Sequence, residues 1–255
     1  MSLPPKPAEI AREVLTIEGE ALLAMREALS ESFDRVIELL LDVRGRVIVS
    51  GMGKSGHIAH KIAATMASTG TPAQMVHPGE ASHGDLGMIT AQDAVILISN
   101  SGETRELADM IAHTRRFSIP LIAITKKAES TLGQQADHVL ELPDAPEACG
   151  IGMAPTTSTT CTLALGDALA VALMTQRGFE RENFLDFHPG GTLGAQLLKV
   201  GSVMHKGDAL PIVHEHSSMG ETLIEMTAKG FGVAAVVERG ILTGVITDGD
   251  LRRNL

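Results

Sequence analysis

The sequence contains no tryptophan, no tyrosine and six phenylalanines in 255 residues. A core built from it must be aliphatic and rich in methionine, of which there are 12. Aromatic platforms for stacking nucleobases are nearly excluded. Basic residues are also scarce: 21 Lys and Arg against 31 Asp and Glu leave a formal charge of −10. A nucleic-acid binder wants a basic face, so that class is disfavoured, although a local anion site remains compatible with the charge. The two cysteines, Cys149 and Cys161, show no metal-ligand spacing, and so few thiols fit a reduced, cytoplasmic protein. The leading MSLPPKPAEI has no apolar signal core, and no unbroken apolar run reaches membrane-spanning length.

What remains is an ordinary globular balance, 44% apolar and 20% charged. The length allows one large domain and a small one. Two stretches organise the chain: VIVSGMGKSG at Val47–Gly56 and VILISNSGET at Val95–Thr104. Each is a short, β-branched run that reads as a buried strand and ends in glycine and hydroxyl residues opening a helix. A helix start with bare N–H groups attracts anions. Two such sites about 48 residues apart predict adjacent parallel strands whose C-terminal ends share one crevice, where open α/β sheets bind ligands.

Gly53-Lys54-Ser55 imitates the end of a nucleotide-hydrolase phosphate loop, but that motif needs a glycine where Ile48 stands. Gly51, Gly53 and Gly56 fit a dinucleotide fingerprint, yet no acidic partner follows about 20 residues on, so a dinucleotide site is the weaker alternative. The SNSGET loop favours a single phosphate, offering the Ser99, Ser101 and Thr104 hydroxyls with the backbone of Asn100 and Gly102. Ser50 and Ser55 would close its other side.

In chain order, helices are predicted at 8–29 and 33–41, the second capped by Ser32. Strands 47–50, 74–77, 94–99, 121–125 and 138–142 then alternate with helices 56–69, 104–116 and 130–135. This is the pattern of a five-stranded, parallel, doubly wound sheet. His77–Ala91 reads as a long loop, and long ordered loops are usually functional. A second irregular stretch, 143–155, carries Glu147, a carboxylate without evident structural duty there. A helix over 157–176 begins in the poor helix former TTSTT. The domains read as 1–200, with N-terminal helices 8–42, sheet core 46–178 and link 179–200, followed by a small α+β unit at 201–255.

The blocks SGMGKSG, ISNSGET, HPGEASHGDLGMI (His77–Ile89) and FHPGGTLG (Phe187–Gly194) together resemble the arabinose 5-phosphate isomerases of the sugar isomerase (SIS) family. VMHKGDALPIV and GVITDGDLRR resemble the CBS motif that those enzymes carry in tandem. The resemblance implies an aldose–ketose isomerase interconverting D-ribulose 5-phosphate and D-arabinose 5-phosphate through an enediol. No cofactor is required, and the product feeds 3-deoxy-D-manno-octulosonate synthesis for lipopolysaccharide. The N-terminal helices, and a His188 shared between subunits as in that family, point to a homotetramer. Lys54, Glu106, Glu147 and His188 fall at its catalytic positions, with Glu147 the best candidate for the enediol base and His188 assisting ring opening or proton shuttling, reaching in from a neighbouring subunit. Lys54 and Glu106 would orient and stabilise. Glu106 is chosen over Glu103 by the family pattern alone, since either acid suits a helix start. The substrate set adds Ser50, Gly51, Ser55, Gly70, Thr71, His77, His83, Ser99, Asn100, Ser101, Gly102 and Thr104, with His77 also an inhibitory zinc ligand. CBS motifs bind nucleotides as pairs, and the sequence ends within its first, which puts adenylate binding here in doubt. The competing readings are an isomerase of another phosphosugar and a non-catalytic phosphosugar-binding regulator.

Overall fold

The computed structural model describes residues 6–187 and 200–254. The chain divides into two compact units, Met1–Gly194 and Ala195–Leu255.

In the first unit a five-stranded parallel sheet runs in the order β2-β1-β3-β4-β5. The strands are β1 (Val47–Gly51), β2 (Ala73–Met75), β3 (Ala94–Ile98), β4 (Leu121–Thr125) and β5 (His138–Glu141). β1, β3 and β4 are buried along their whole length, which explains their unbroken aliphatic sequence. Alternation still sorts their side chains. Val47, Val49, Ile96, Ile98, Ile122 and Ile124 join one core layer, and Ile48, Val95, Leu97, Leu121 and Ala123 the other.

The first layer is covered by α1 (Pro7–Ala28), α2 (Glu31–Asp42), α3 (Lys54–Ser68) and α7 (Thr157–Gln176). The second is covered by α4 (Pro78–Ala81), α5 (Ala108–Phe117) and α6 (Thr131–Gln135). A short α8 (Arg181–Phe187) ends the described part of this unit. α3 and α7 approach closely: a Cβ on Gly166 would meet the Ile62 side chain at 2.3 Å. α7 is long and apolar enough to cross a membrane on length and composition, contrary to the expectation that no segment qualifies. Its Cys161, Leu165, Leu169 and Leu173 are instead part of the core.

Local chemistry shifts several predicted boundaries. The cap of α2 is Ser30, whose hydroxyl accepts the Ser32 N–H at 3.4 Å; Ser32 donates instead to the Val139 carbonyl at 2.8 Å. The predicted helix 104–116 starts as a 3₁₀ turn at Arg105–Leu107 before α5. His77–Ala91 is not plain loop, for it contains α4 and a 3₁₀ turn at Asp85–Met88.

The second unit has a three-stranded sheet, β6 (Ile212–Val213), β7 (Val233–Glu238) and β8 (Ile241–Thr247), in that order. β7 and β8 form a hairpin through Arg239 and Gly240, both at positive φ, as a tight two-residue turn requires. Helix Met219–Lys229 starts on a Ser218–Glu221 capping box and ends at left-handed Gly230.

Candidate active site

β1 pairs with β3 on one side and with β2 on the other, so the chain changes direction between β1 and β3. That is the switch point at which open sheets bind ligands, and it is where the two glycine-rich loops were predicted to meet.

The first loop is tight. A Cβ on Gly56 would lie 2.6 Å from the Gly51 carbonyl oxygen, so only glycine lets α3 start this close to β1. Lys54 is the first residue of α3, exposed, with no hydrogen bond or ion pair among the described residues. Ser55 is half-buried, whereas Ser50 is fully buried and its hydroxyl has no partner.

The second loop is a closed polar turn. Ser99 Oγ and Thr104 Oγ1 lie 2.7 Å apart, the Gly102 N–H donates to Ser99 Oγ at 3.0 Å, and the Glu103 N–H donates to Ser101 Oγ at 3.2 Å. The N–H groups of Ser101 and Thr104 carry no hydrogen bond among the described residues. The turn is fastened from below: the Asn100 carbonyl accepts the Lys126 N–H, and the Gly102 carbonyl accepts the Leu132 N–H. Gly102 has φ of 70°, and a Cβ there would fall 1.8 Å from Ser130 Oγ. The loop therefore offers free N–H groups and reorientable hydroxyls on a rigid base, the requirements of an anion site.

The structure separates the two acids that spacing could not. Glu103 accepts from the Thr131 N–H at 2.8 Å and the Thr131 hydroxyl at 2.7 Å, capping α6. Those bonds from Thr131 hold its pKa below the ordinary value. Glu106 lies in the 3₁₀ turn, exposed and unpaired among the described residues, which leaves it available.

A cavity of about 290 Å³ opens over the ends of β3, β4 and β5, lined by Asn100, Lys126, Glu147, Thr157, Ser158 and Cys161 among others. Glu147 does have a structural duty, contrary to expectation. Its Oε2 accepts the Thr156 N–H at 2.7 Å, the Thr156 hydroxyl at 3.2 Å and the Ser158 N–H at 3.2 Å, so it caps α7. Burial works to raise its pKa, but the bonds from Ser158 and Thr156 outweigh it and hold the carboxyl below its usual value. Glu147 is ionised at neutral pH and able to accept a proton. Lys126 bonds Asp144 at 2.5 Å and the Ala145 carbonyl at 3.3 Å, placing a cation in the same cavity. A larger cavity, about 460 Å³, lies between the α1–α2 corner and β5; Met25, Leu29, Phe33 and Leu165 give it an apolar wall without a phosphate pattern.

Other predicted residues are not gathered here. His77 follows β2 and caps α4, its Nδ1 accepting the Gly79 N–H at 3.2 Å. That bond makes neutral His77 an Nε2–H donor, a form suited to a substrate oxygen. Zinc at Nε2 would have to displace that proton. His83 is exposed, and no group of three metal-ligating side chains occurs among the described residues. Gly70 and Thr71 precede β2 and so lie at the opposite end of the sheet. Gly70 packs on Phe179, and Thr71 Oγ1 accepts from Arg177 at 3.3 Å. Phe187 lines a pocket with Gly70 at that same end. His188 falls outside the described residues. Thr157, Ser158 and Lys126 were missed. TTSTT read only as a weak helix start, though its hydroxyls sit at a loop-to-helix junction as those of SNSGET do, and Lys126 directly follows a strand end.

Comparison with known proteins matches residues 39–172 to the SIS domain and 200–255 to the CBS domain. Arabinose 5-phosphate isomerase KdsD of Escherichia coli K12 is 49% identical over 247 residues, 96% of this chain and 75% of that protein. The enzyme of the same name from Pseudomonas aeruginosa PAO1 is 50% identical over 96% of this chain and 76% of its own length. Among solved structures, c3406 of E. coli CFT073 in complex with A5P superposes with a TM-score of 0.69 at 40% identity, covering 71% of this chain and 97% of that one.

Proposed function

The chain belongs to the arabinose 5-phosphate isomerase family of SIS-domain proteins, and we propose that it interconverts D-ribulose 5-phosphate and D-arabinose 5-phosphate through an enediol. The observation that carries this reading is the shared cavity: Asn100 of the anion loop and the ionised Glu147 line the same 290 Å³ space. A phosphate held on the free N–H groups and hydroxyls of residues 99–104 leaves the sugar carbons to extend toward Glu147. Glu147 takes the proton from the carbon beside the carbonyl and returns it to the neighbouring carbon, the general-base chemistry an aldose–ketose exchange needs. Lys54 and Glu106, both exposed and unpaired among the described residues, orient the substrate and stabilise developing charge, and His188 assists ring opening. The enediol route calls for no cofactor, and zinc at His77 would act only as an inhibitor. The product would serve 3-deoxy-D-manno-octulosonate and lipopolysaccharide synthesis in the cytoplasm.

A homotetramer is part of the proposal. Leu15 and Leu23 are 69% and 54% exposed on α1, an apolar surface suited to a second copy. Gly70 and Thr71 sit at the wrong end of their own sheet and could join a site only through a neighbour's crevice. The test is direct: purified protein with ribulose 5-phosphate should yield arabinose 5-phosphate by NMR. Failure to convert it, with hexulose phosphates converted instead, would reassign the substrate.

A further inference from the structure

Among the described residues, three buried side-chain atoms lack any hydrogen-bond partner: Ser50 Oγ, Arg115 Nε and Thr157 Oγ1. Arg115 belongs to an ion pair with Asp137, whose carboxylate also accepts the Leu121 N–H at the start of β4, away from the crevice. Thr157 is different. It is 2% exposed, lies in the first turn of α7, and lines the cavity that holds Glu147, Lys126 and Asn100. Its neighbours on both sides are committed, since the Thr156 and Ser158 N–H groups bind Glu147. A threonine hydroxyl in a helix usually bonds back to a carbonyl one turn earlier, as Thr162 does to Ser158 at 2.7 Å. In the first turn of α7 Thr157 makes no such bond. A buried hydroxyl without a protein partner, set on the wall of a cavity, is free to bond a molecule that enters it.

We propose that the Thr157 hydroxyl donates a hydrogen bond to the substrate's carbonyl oxygen as it becomes the enediolate oxygen. This rests on the isomerase reading of the same cavity. Glu147 takes the proton from the carbon beside the carbonyl, the C–H electron pair forms the C=C bond, and the carbonyl π pair moves onto oxygen. Thr157 keeps its own proton and stabilises that charge through its O–H. The hydroxyl proton on the neighbouring carbon then passes to the former carbonyl oxygen, a carbonyl forms at that neighbouring carbon, and the proton on Glu147 returns to the former carbonyl carbon, so nothing is consumed. Thr157 sits on the helix turn that the base itself caps, so base and donor are held by one piece of backbone. The donor is aimed at charge that develops in the transition state, the arrangement that raises turnover rather than affinity.

The test compares wild type with Thr157→Val and Thr157→Ser. Valine keeps the shape and removes only the hydroxyl. The expected result for valine is a fall in kcat of about 10- to 100-fold with KM within about threefold. Its melting temperature should be equal or higher, because an unpaired buried polar group is gone, and serine should restore most of the turnover. An active wild type with unchanged kcat in Thr157→Val would overturn the proposal and leave the isomerase reading standing. So would a lowered melting temperature without kinetic loss, which would mark the hydroxyl as structural. A wild type inactive on every pentose and hexose phosphate pair would sink the isomerase reading and this inference with it.

Discussion

Replacing Glu147 in two ways should separate its two roles. Glutamine keeps one oxygen where the Thr156 and Ser158 N–H groups can still reach it, at 2.7 and 3.2 Å in the native protein, and loses only the charge. Charge at a helix N-terminus is worth about 0.3–1 kcal/mol, so the cost to stability should be within about 1 kcal/mol. Alanine orphans both N–H groups at a partly buried helix start, for about 2–3 kcal/mol. At this chain length that corresponds to a drop in melting temperature of roughly 5–10 °C for alanine and a few degrees for glutamine. Turnover should fall by roughly 10²–10⁴-fold in both, since neither side chain can take a proton. KM for the glutamine variant should stay near that of wild type. The pH dependence follows from the lowered carboxyl pKa, whose ordinary value is 4.5. A depressed pKa contributes stability that is fully present above that value and is lost as pH falls through the folded one. The gap in melting temperature between wild type and Glu147→Gln should therefore narrow as pH falls below 4.5. The reasoning fails if Glu147→Gln keeps turnover within about threefold of wild type, or if the two variants melt together.

Gly102→Ala places a Cβ 1.8 Å from Ser130 Oγ at a residue with φ of 70°. Left-handed strain and overpacking together should cost about 2–5 kcal/mol in urea unfolding and abolish phosphosugar binding by calorimetry. Lys54→Met removes an exposed, unpaired cation, so the melting temperature should hold while kcat/KM drops about 100-fold in a steady-state assay. Asp137 accepts from Arg115 and from the Leu121 N–H, and the Arg115 bonds hold its pKa below the ordinary 3.8. Its contribution is present above that value and lost as pH falls below it. Asp137→Asn should cost about 1–2 kcal/mol near neutral pH by urea titration, and the difference should shrink as pH falls below 3.8.

The sheet was legible because its strands are buried on both faces. Val95–Ile98 and Leu121–Ile124 are unbroken apolar runs because the sheet buries both of their faces. The adjacency of β1 and β3 followed from the two glycine-and-hydroxyl loops, each of which needs a strand end beside the other. What depended on side chains crossing between elements was hidden. Ser32 looked like a cap and bonds β5 instead. Glu103 and Glu106 are indistinguishable by spacing, and only contact with Thr131, 28 residues away in sequence, sets them apart. Glu147 seemed free because the helix start it caps lies nine residues further on, across a loop whose path the sequence does not encode locally. Gly70 and Thr71 carry a family pattern, but only the strand direction reveals that they sit at the far end of the sheet.

The most direct measurement is deuterium incorporation. Wild type and Glu147→Gln are incubated with ribulose 5-phosphate in deuterated buffer, and the product is read by NMR. An enediol route with Glu147 as base gives arabinose 5-phosphate bearing deuterium at C2 from wild type and almost none from the variant. Conversion without solvent exchange in either protein would contradict proton transfer through an exchangeable carboxylate. Equal labelling by both would remove Glu147 from the role of base.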